Sequence, residues 1–162
     1  MISIVEGRES NLNQACDILL EVAQWLDKKN IPLWREEEIS IERMLPYAER
    51  GELFVALFDG EPAGTIVIQS EDRDYWPDVT DRSSLFFHKL AVSRKYAGKG
   101  VSKSLMEYAF ELAKKRGCKF LRMDCSAGHS QLRKFYESNG FQFLDQRQVG
   151  DLLVDRLFKL VT

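Results

Sequence analysis

No apolar run in this chain approaches the ~20 residues needed to cross a bilayer, so a membrane-spanning helix is excluded and no membrane partner is expected. The opening Met1-Ile2-Ser3-Ile4-Val5-Glu6 lacks the basic segment and apolar stretch of a secretion signal. Cysteine is scarce: Cys16, Cys118 and Cys125 cannot all pair, which points to a reducing, cytoplasmic setting. Positive charge is not in excess either. A net charge of −2 leaves no basic footprint, so nucleic acid is not expected as a partner. Repeats, low-complexity tracts and Pro/Gly/Ser-rich linkers are all missing, so residues 1–162 are expected to form one domain. What is present is the balance of a globular protein, 44% apolar and 30% charged.

Hydrophobic periodicity then sets the elements. Residues 2–6 predict a short strand, and apolar positions from Leu12 to Leu26 predict a helix over about 11–29. The Ile31-Pro32-Leu33-Trp34 segment breaks it, and one further helix is expected over about 36–49, with Pro46 near its end and Gly51 as its stop. Leu53–Phe58 and Ala63–Gln69 predict strands joined by the turn signal Asp59-Gly60. Residues 70–84 read as a long polar loop whose acidic run Glu71-Asp72-Arg73-Asp74 is either solvated or a lure for a cationic amine, and Leu85–Val92 as a central strand. A helix follows over 98–116, a strand at 120–125, a short helix at 130–139, and closing strands at 141–148 and 152–160. The order β-α-α-β-β-β-α-β-α-β-β predicts an α/β fold, a mixed sheet flanked by helices.

The turn Tyr96-Ala97-Gly98-Lys99-Gly100-Val101-Ser102 carries the chemistry. A strand running through a glycine turn into a helix exposes unpaired amide hydrogens where the helix dipole favours an anion. Arg94, Lys95, Lys99 and Lys103 add positive charge there. Two phosphate motifs fail: Ser93 stands where a Walker loop needs its first glycine, and Lys103 stands where a dinucleotide fingerprint needs its third.

The stretch Leu90-Ala91-Val92, four residues, then Ala97-Gly98-Lys99-Gly100-Val101-Ser102 resembles the acetyl-CoA motif of the GNAT family of N-acetyltransferases, whose core is Arg/Gln-x-x-Gly-x-Gly/Ala. Downstream, Tyr136 followed by Gly140-Phe141 is similar to that family's second signature. The resemblance covers essentially the whole chain. It implies a single-domain, mostly antiparallel mixed sheet, and acetyl-CoA as co-substrate with no metal. Leu90, Ala91, Val92, Lys95, Tyr96, Ala97, Gly98, Lys99, Gly100, Val101, Ser102, Lys103, His129 and Tyr136 are then the expected cofactor contacts. It implies a small-molecule or peptide amine as acceptor, and a homodimer is common among such proteins. Three positions depart from the pattern. Ala97 replaces Arg/Gln, Ser102 replaces Gly/Ala, and His129 stands where an asparagine is usual. These departures keep a second expectation open, an acyl-CoA-binding module without turnover.

Acyl transfer to an amine requires the amine to be neutral. For a Lys-like amine at pH 7 that costs about 3.4 pH units, or ~4.6 kcal/mol, which a base acting directly or through water, or desolvation in an apolar pocket, must offset. His88 is the candidate, with an ordinary pKa of about 6.5 and a position where arylalkylamine N-acetyltransferases of this family carry a histidine. Glu52, Glu61 and Asp124 are alternatives that the sequence does not rank. The resemblance makes Tyr136 the candidate acid, although a phenol protonates a thiolate uphill by about 1.5 units. Amide hydrogens around Leu90–Val92 are candidate oxyanion donors. Cys125 reads as a buried strand cysteine rather than a nucleophile. Trp34, Trp76 and Phe87 are the expected acceptor contacts.

Overall fold

A computed structural model describes all 162 residues, Met1–Thr162. In chain order they form β1 (Ile2–Glu6), α1 (Leu12–Asp27), α2 (Ile41–Glu49), β2 (Leu53–Phe58), β3 (Glu61–Gln69), β4 (Ser84–Val92), α3 (Val101–Lys115), β5 (Phe120–Ser126), α4 (Ser130–Ser138), β6 (Gln142–Val149) and β7 (Leu152–Leu160). The fold is a mixed α/β sheet of seven strands in the order β1-β2-β3-β4-β5-β7-β6. The pairs β1/β2, β2/β3, β5/β7 and β6/β7 are antiparallel, while β4 and β5 are parallel. Packing divides the chain into two compact units, residues 1–68 with 89–108, and residues 69–88 with 109–162.

In the first unit α1 buries Leu12, Ala15, Cys16, Ile18, Leu19, Val22, Ala23 and Leu26, the broad stripe that its periodicity requires. Ile39, Met44, Leu53, Val55, Val67 and Ala91 complete that core. The helix expected over 36–49 is broken in two. A 3-10 turn covers Glu36–Ile39, Ser40 is extended at ψ 162°, and its hydroxyl accepts from the Arg43 amide to cap α2. Pro46 stays inside that helix, which runs on to Glu49. The helix expected over 98–116 begins at Val101 instead, leaving residues 97–100 as an irregular turn.

All four helices stop the same way. A left-handed residue (Asn30, Gly51, Gly117 or Gly140) is followed by an amide that bonds back to a carbonyl five residues earlier. Those bonds are Ile31 to Leu26, Glu52 to Tyr47, Cys118 to Ala113 and Phe141 to Tyr136.

In the second unit the segment between β3 and β4 leaves Glu71, Arg73 and Asp74 exposed and is pinned further along the chain. Arg156 of β7, with only 4% of its side chain exposed, donates to Asp78 at 2.7 and 3.2 Å and to Asp145 at 2.8 and 2.9 Å. It also donates to the Tyr75 carbonyl at 3.2 Å and lies 4.4 Å from the centre of the Trp76 ring. A buried guanidinium demands this density of acceptors, and Arg156 draws Asp78 out of the loop to supply them.

The hydrogen bonds from Arg156 hold the Asp78 and Asp145 carboxyls below the ordinary carboxylate range. A depressed native pKa gives stability that is complete above about pH 4 and is lost as pH falls further. Arg156→Met should therefore lose about 2–3 kcal/mol in denaturant titrations at pH 7. That is less than for a fully buried pair, because both carboxylates stay half-exposed. The variant should also lose less stability than the parent between about pH 4 and pH 2. Equal acid sensitivity in the two proteins would count against this account.

Candidate active site

The first unit builds the turn before α3. Gly98 and Gly100 stand at φ 75° and 86°, and no atom lies within 4 Å of the place a Cβ would occupy at either. Any other L-residue is strained in that left-handed region, so the turn needs glycine for its backbone and stays open on that side. The Ser104 amide makes the first helical bond, to the Gly100 carbonyl at 3.0 Å. The amides of Val101, Ser102 and Lys103 thus have no acceptor within the helix. That arrangement suits a pyrophosphate.

Three contacts hold the turn in place. Tyr96 is buried against Phe58, with ring centres 5.1 Å apart, and its hydroxyl donates to Glu61. Glu61 also pairs with Lys95 at 3.1 Å, and the Tyr96 and Lys95 hydrogen bonds hold its carboxyl below its ordinary value. Glu21 of α1 accepts from the Ser93 hydroxyl at 3.1 Å and from the Arg94 amide at 2.7 Å, while the Arg94 guanidinium lies 3.8 Å from the centre of the Trp25 ring. Gly64 of β3 allows the close approach of α3. A Cβ there would stand 2.8 Å from Val101 and 2.9 Å from the Ala91 carbonyl.

Leu90, Ala91 and Val92 end β4, just past Lys89, which has φ 55°. A left-handed non-glycine residue inside a strand interrupts the regular ladder. The buried Thr65 hydroxyl donates to the Lys89 carbonyl at 2.9 Å and so supports the distortion.

In the second unit β4 pairs with β5 over Ser84–Phe86, against Phe120–Arg122. Side chains alternate across a strand, which sorts the candidates by face. On one face Phe87 packs against Tyr136 and Phe141 at 6.2 and 5.7 Å. On the other, Phe86 packs against Trp76 at 5.8 Å, and His88 Nε2 lies 2.6 Å from Gln69 Oε1. The Trp76 indole donates to Asp124 Oδ2 at 3.2 Å, which places Asp124 on the His88 side. Tyr136 therefore approaches β4 from the opposite face to His88 and Asp124.

Burial, and secondarily the nearby Cys125 and Asp124, push the Tyr136 phenol above its ordinary value. Burial likewise raises the Cys125 thiol to about 12, leaving too little thiolate for a nucleophile at neutral pH. His129 precedes α4 as its N-cap residue, without a side-chain cap bond.

Comparison with known proteins decides the family. The model of the acetyltransferase (GNAT) family matches residues 19–141. The chain belongs to that family. It is 30% identical over 150 residues to the uncharacterized N-acetyltransferase YesJ of Bacillus subtilis (strain 168), covering 86% of this chain and 81% of that protein. The fold is similar to the PaiA N-acetyltransferase of Thermoplasma acidophilum in complex with coenzyme A, at TM-score 0.79 and 19% identity over 99% of each chain. It is also similar to aminoglycoside acetyltransferase AAC(6')-Ib with coenzyme A and kanamycin, at TM-score 0.77 and 17% identity over 99% of this chain and 95% of that one.

Within this GNAT chain several residues take places that the sequence did not suggest. Tyr96 and Lys95, expected at the cofactor, spend their polar groups on Glu61. Lys99 lies beside the Phe58 and Tyr96 rings at 5.4 and 5.9 Å, while Ala97, Gly98, Gly100 and Lys103 are exposed. Trp76 and Phe87, expected to line an acceptor pocket, are buried at 1% and 3% exposure because both are wedged into aromatic contacts. Trp34 keeps a half-buried face with the Lys89 ammonium 5.7 Å from its ring centre. Among the carboxylates, Glu61 is committed to Tyr96 and Lys95, Glu52 pairs with Arg50 at 2.9 Å, and Asp124 shares the His88 face. Glu21, Gly64, Thr65 and Gln69 were missed. Each acts through a partner 19 to 73 residues away or through the space it leaves, and neither gives a local signal.

Burial also raises the Cys16 thiol, to about 11. Cys16 and Cys125 should therefore resist an aromatic disulfide reagent at pH 8 in the native protein and react once it is unfolded. Rapid labelling of either in the folded chain would contradict the burial described.

Proposed function

We propose that the chain is a single acetyltransferase domain transferring acetyl from acetyl-CoA to a primary amine of a small molecule or peptide, by direct attack in a ternary complex. The observation that carries this reading is the open left-handed Gly98–Gly100 turn feeding the α3 N-terminus in a GNAT chain. The amides of Val101, Ser102 and Lys103 would hold the pyrophosphate, with Lys99, Lys103 and the Ser102 hydroxyl beside it. Leu90–Val92 offer main-chain groups to the pantetheine amides and the oxyanion, and His129 flanks the arm. The cofactor supplies the activated acyl group.

His88, with Asp124 on its face, receives the amine proton. Tyr136 serves the leaving sulfur from the other face of the strand. Its raised pKa makes full proton transfer to a thiolate of about 8.5 still more uphill, so the phenol stabilises the thiolate by donating a hydrogen bond. Trp34 contacts the acceptor directly, and Trp76 and Phe87 back the walls. The aminoglycoside complex of a fold relative supports a polycationic amine as one acceptor class.

The departures at Ala97, Ser102 and His129 favour testing a CoA-binding module without turnover as the second reading. Calorimetry with acetyl-CoA should give sub-millimolar binding, and failure to bind removes both readings. Release of free CoA should then be followed with polyamines, amino acids, arylalkylamines, aminoglycosides and peptides. Background rates with all of them would favour the binding module. Tyr136→Phe should lower kcat about 100-fold with little change in CoA affinity, and an unchanged kcat would remove Tyr136 from the chemistry.

A further inference from the structure

A cleft of about 920 Å³ lies in the second unit, between the loop leading into β4 and the residues that follow α3. Its size falls within the range of small-molecule pockets. Of the residues assigned above to acetyl transfer only Trp76 borders it, and that ring is buried. The floor is formed by Leu85 and Cys118, both buried, and half-buried Val79 gives an apolar wall. Arg82 and Arg116 line the same cleft and are exposed. Three carboxylates and three guanidiniums border it, but they are not equally engaged. Glu71 stands 3.6 Å from Arg73, Asp72 accepts from the Tyr75 amide at 3.1 Å, and Asp81 accepts from the Ser83 amide and hydroxyl at 3.2 and 2.6 Å. Arg82 and Arg116 make no ion pair and no side-chain hydrogen bond.

We propose that this cleft binds a small organic carboxylate with an apolar body, its anionic group on Arg82 and Arg116 and its body against Val79 and Leu85. A guanidinium presents paired N–H donors that match the two oxygens of a carboxylate, and it is more weakly hydrated than an ammonium. The apolar body adds burial that an inorganic anion lacks. Carbonyls at the negative end of α3 would oppose an anion, but those of Ala113 and Lys114 accept from the Cys118 and Gly117 amides. The facing wall is set before a ligand arrives. Arg156 holds Asp78 and the Tyr75 carbonyl, and the Val79 amide bonds to the Trp76 carbonyl at 3.2 Å. A cationic amine would meet two uncompensated positive charges here, which sets the cleft apart from any acceptor site.

Naphthalene carboxylate and its neutral analogue naphthalene methanol serve as probes, followed by calorimetry and amide NMR on the full chain without CoA. The carboxylate should bind saturably, shift the amides of residues 79–85 and 116–119, and bind about tenfold more tightly than the alcohol. Arg82→Met and Arg116→Met should each weaken the carboxylate by about tenfold and leave the alcohol unchanged. Both side chains are exposed, so neither change should lower Tm appreciably. No saturable binding at millimolar carboxylate overturns the proposal, as do equal affinities for acid and alcohol, undiminished binding in both variants, or shifts centred elsewhere. Displacement of the carboxylate by CoA would place it at the cofactor turn and overturns the proposal too. Should a variant fail to fold, the acid–alcohol comparison and the shift map of the native chain still decide. A chain that holds the carboxylate in this cleft but binds no acetyl-CoA would lose the acetyltransferase reading alone, so the two ideas fail separately.

Discussion

Amide hydrogens at the start of an α-helix have no acceptor within the helix, and an exposed first turn leaves them to solvent or an anion. The first unit is organised around keeping that turn of α3 both exposed and fixed. Gly64 lets the helix press against β3, and the Tyr96–Glu61–Lys95 cluster anchors the approach from one side. Glu21 gathers the Ser93 hydroxyl and the Arg94 amide from the other. Two side chains that sequence alone would give to a phosphate are spent as fasteners. The turn is therefore fixed by its neighbours while the first amides of α3 keep no acceptor within the helix.

The second unit sets an aromatic cluster and a polar contact on opposite faces of one strand. Alternation along β4 presents Phe87 and Tyr136 on one side, and His88 with its Gln69 partner on the other. The environments differ to match. The phenol sits among Phe87, Phe135 and Phe141, where burial pushes its pKa up. The imidazole lies beside the polar Gln69 side chain.

Much of this was legible locally. Element order, the glycine turn and the Tyr136 signature all follow from periodicity and short-range chemistry, which a sequence carries directly. Ser40 was missed because its capping hydroxyl competes with a helical pattern that looks continuous from residue 36 to 49. The pinning of the loop before β4 leaves no local signal, because Asp78 reveals its role only beside Arg156, 78 residues later. Aromatic character alone does not reveal how deeply Trp76 and Phe87 are packed. Long-range pairs and unfilled space leave no trace in spacing.

The cap at the end of α4 gives its signature a mechanical meaning. Gly140 turns the chain, the Phe141 amide bonds to the Tyr136 carbonyl at 3.1 Å, and the Phe141 ring stands 6.1 Å from the Tyr136 ring. The same few atoms thus end the helix and index its rotation. Each residue advances a helix by about 100°, so one insertion between Tyr136 and Gly140 would swing the phenol a quarter-turn or more away from Phe87. The exposed Glu137 and Ser138 between them have no such constraint. The signature behaves as a ruler: its length is fixed while much of its composition is free.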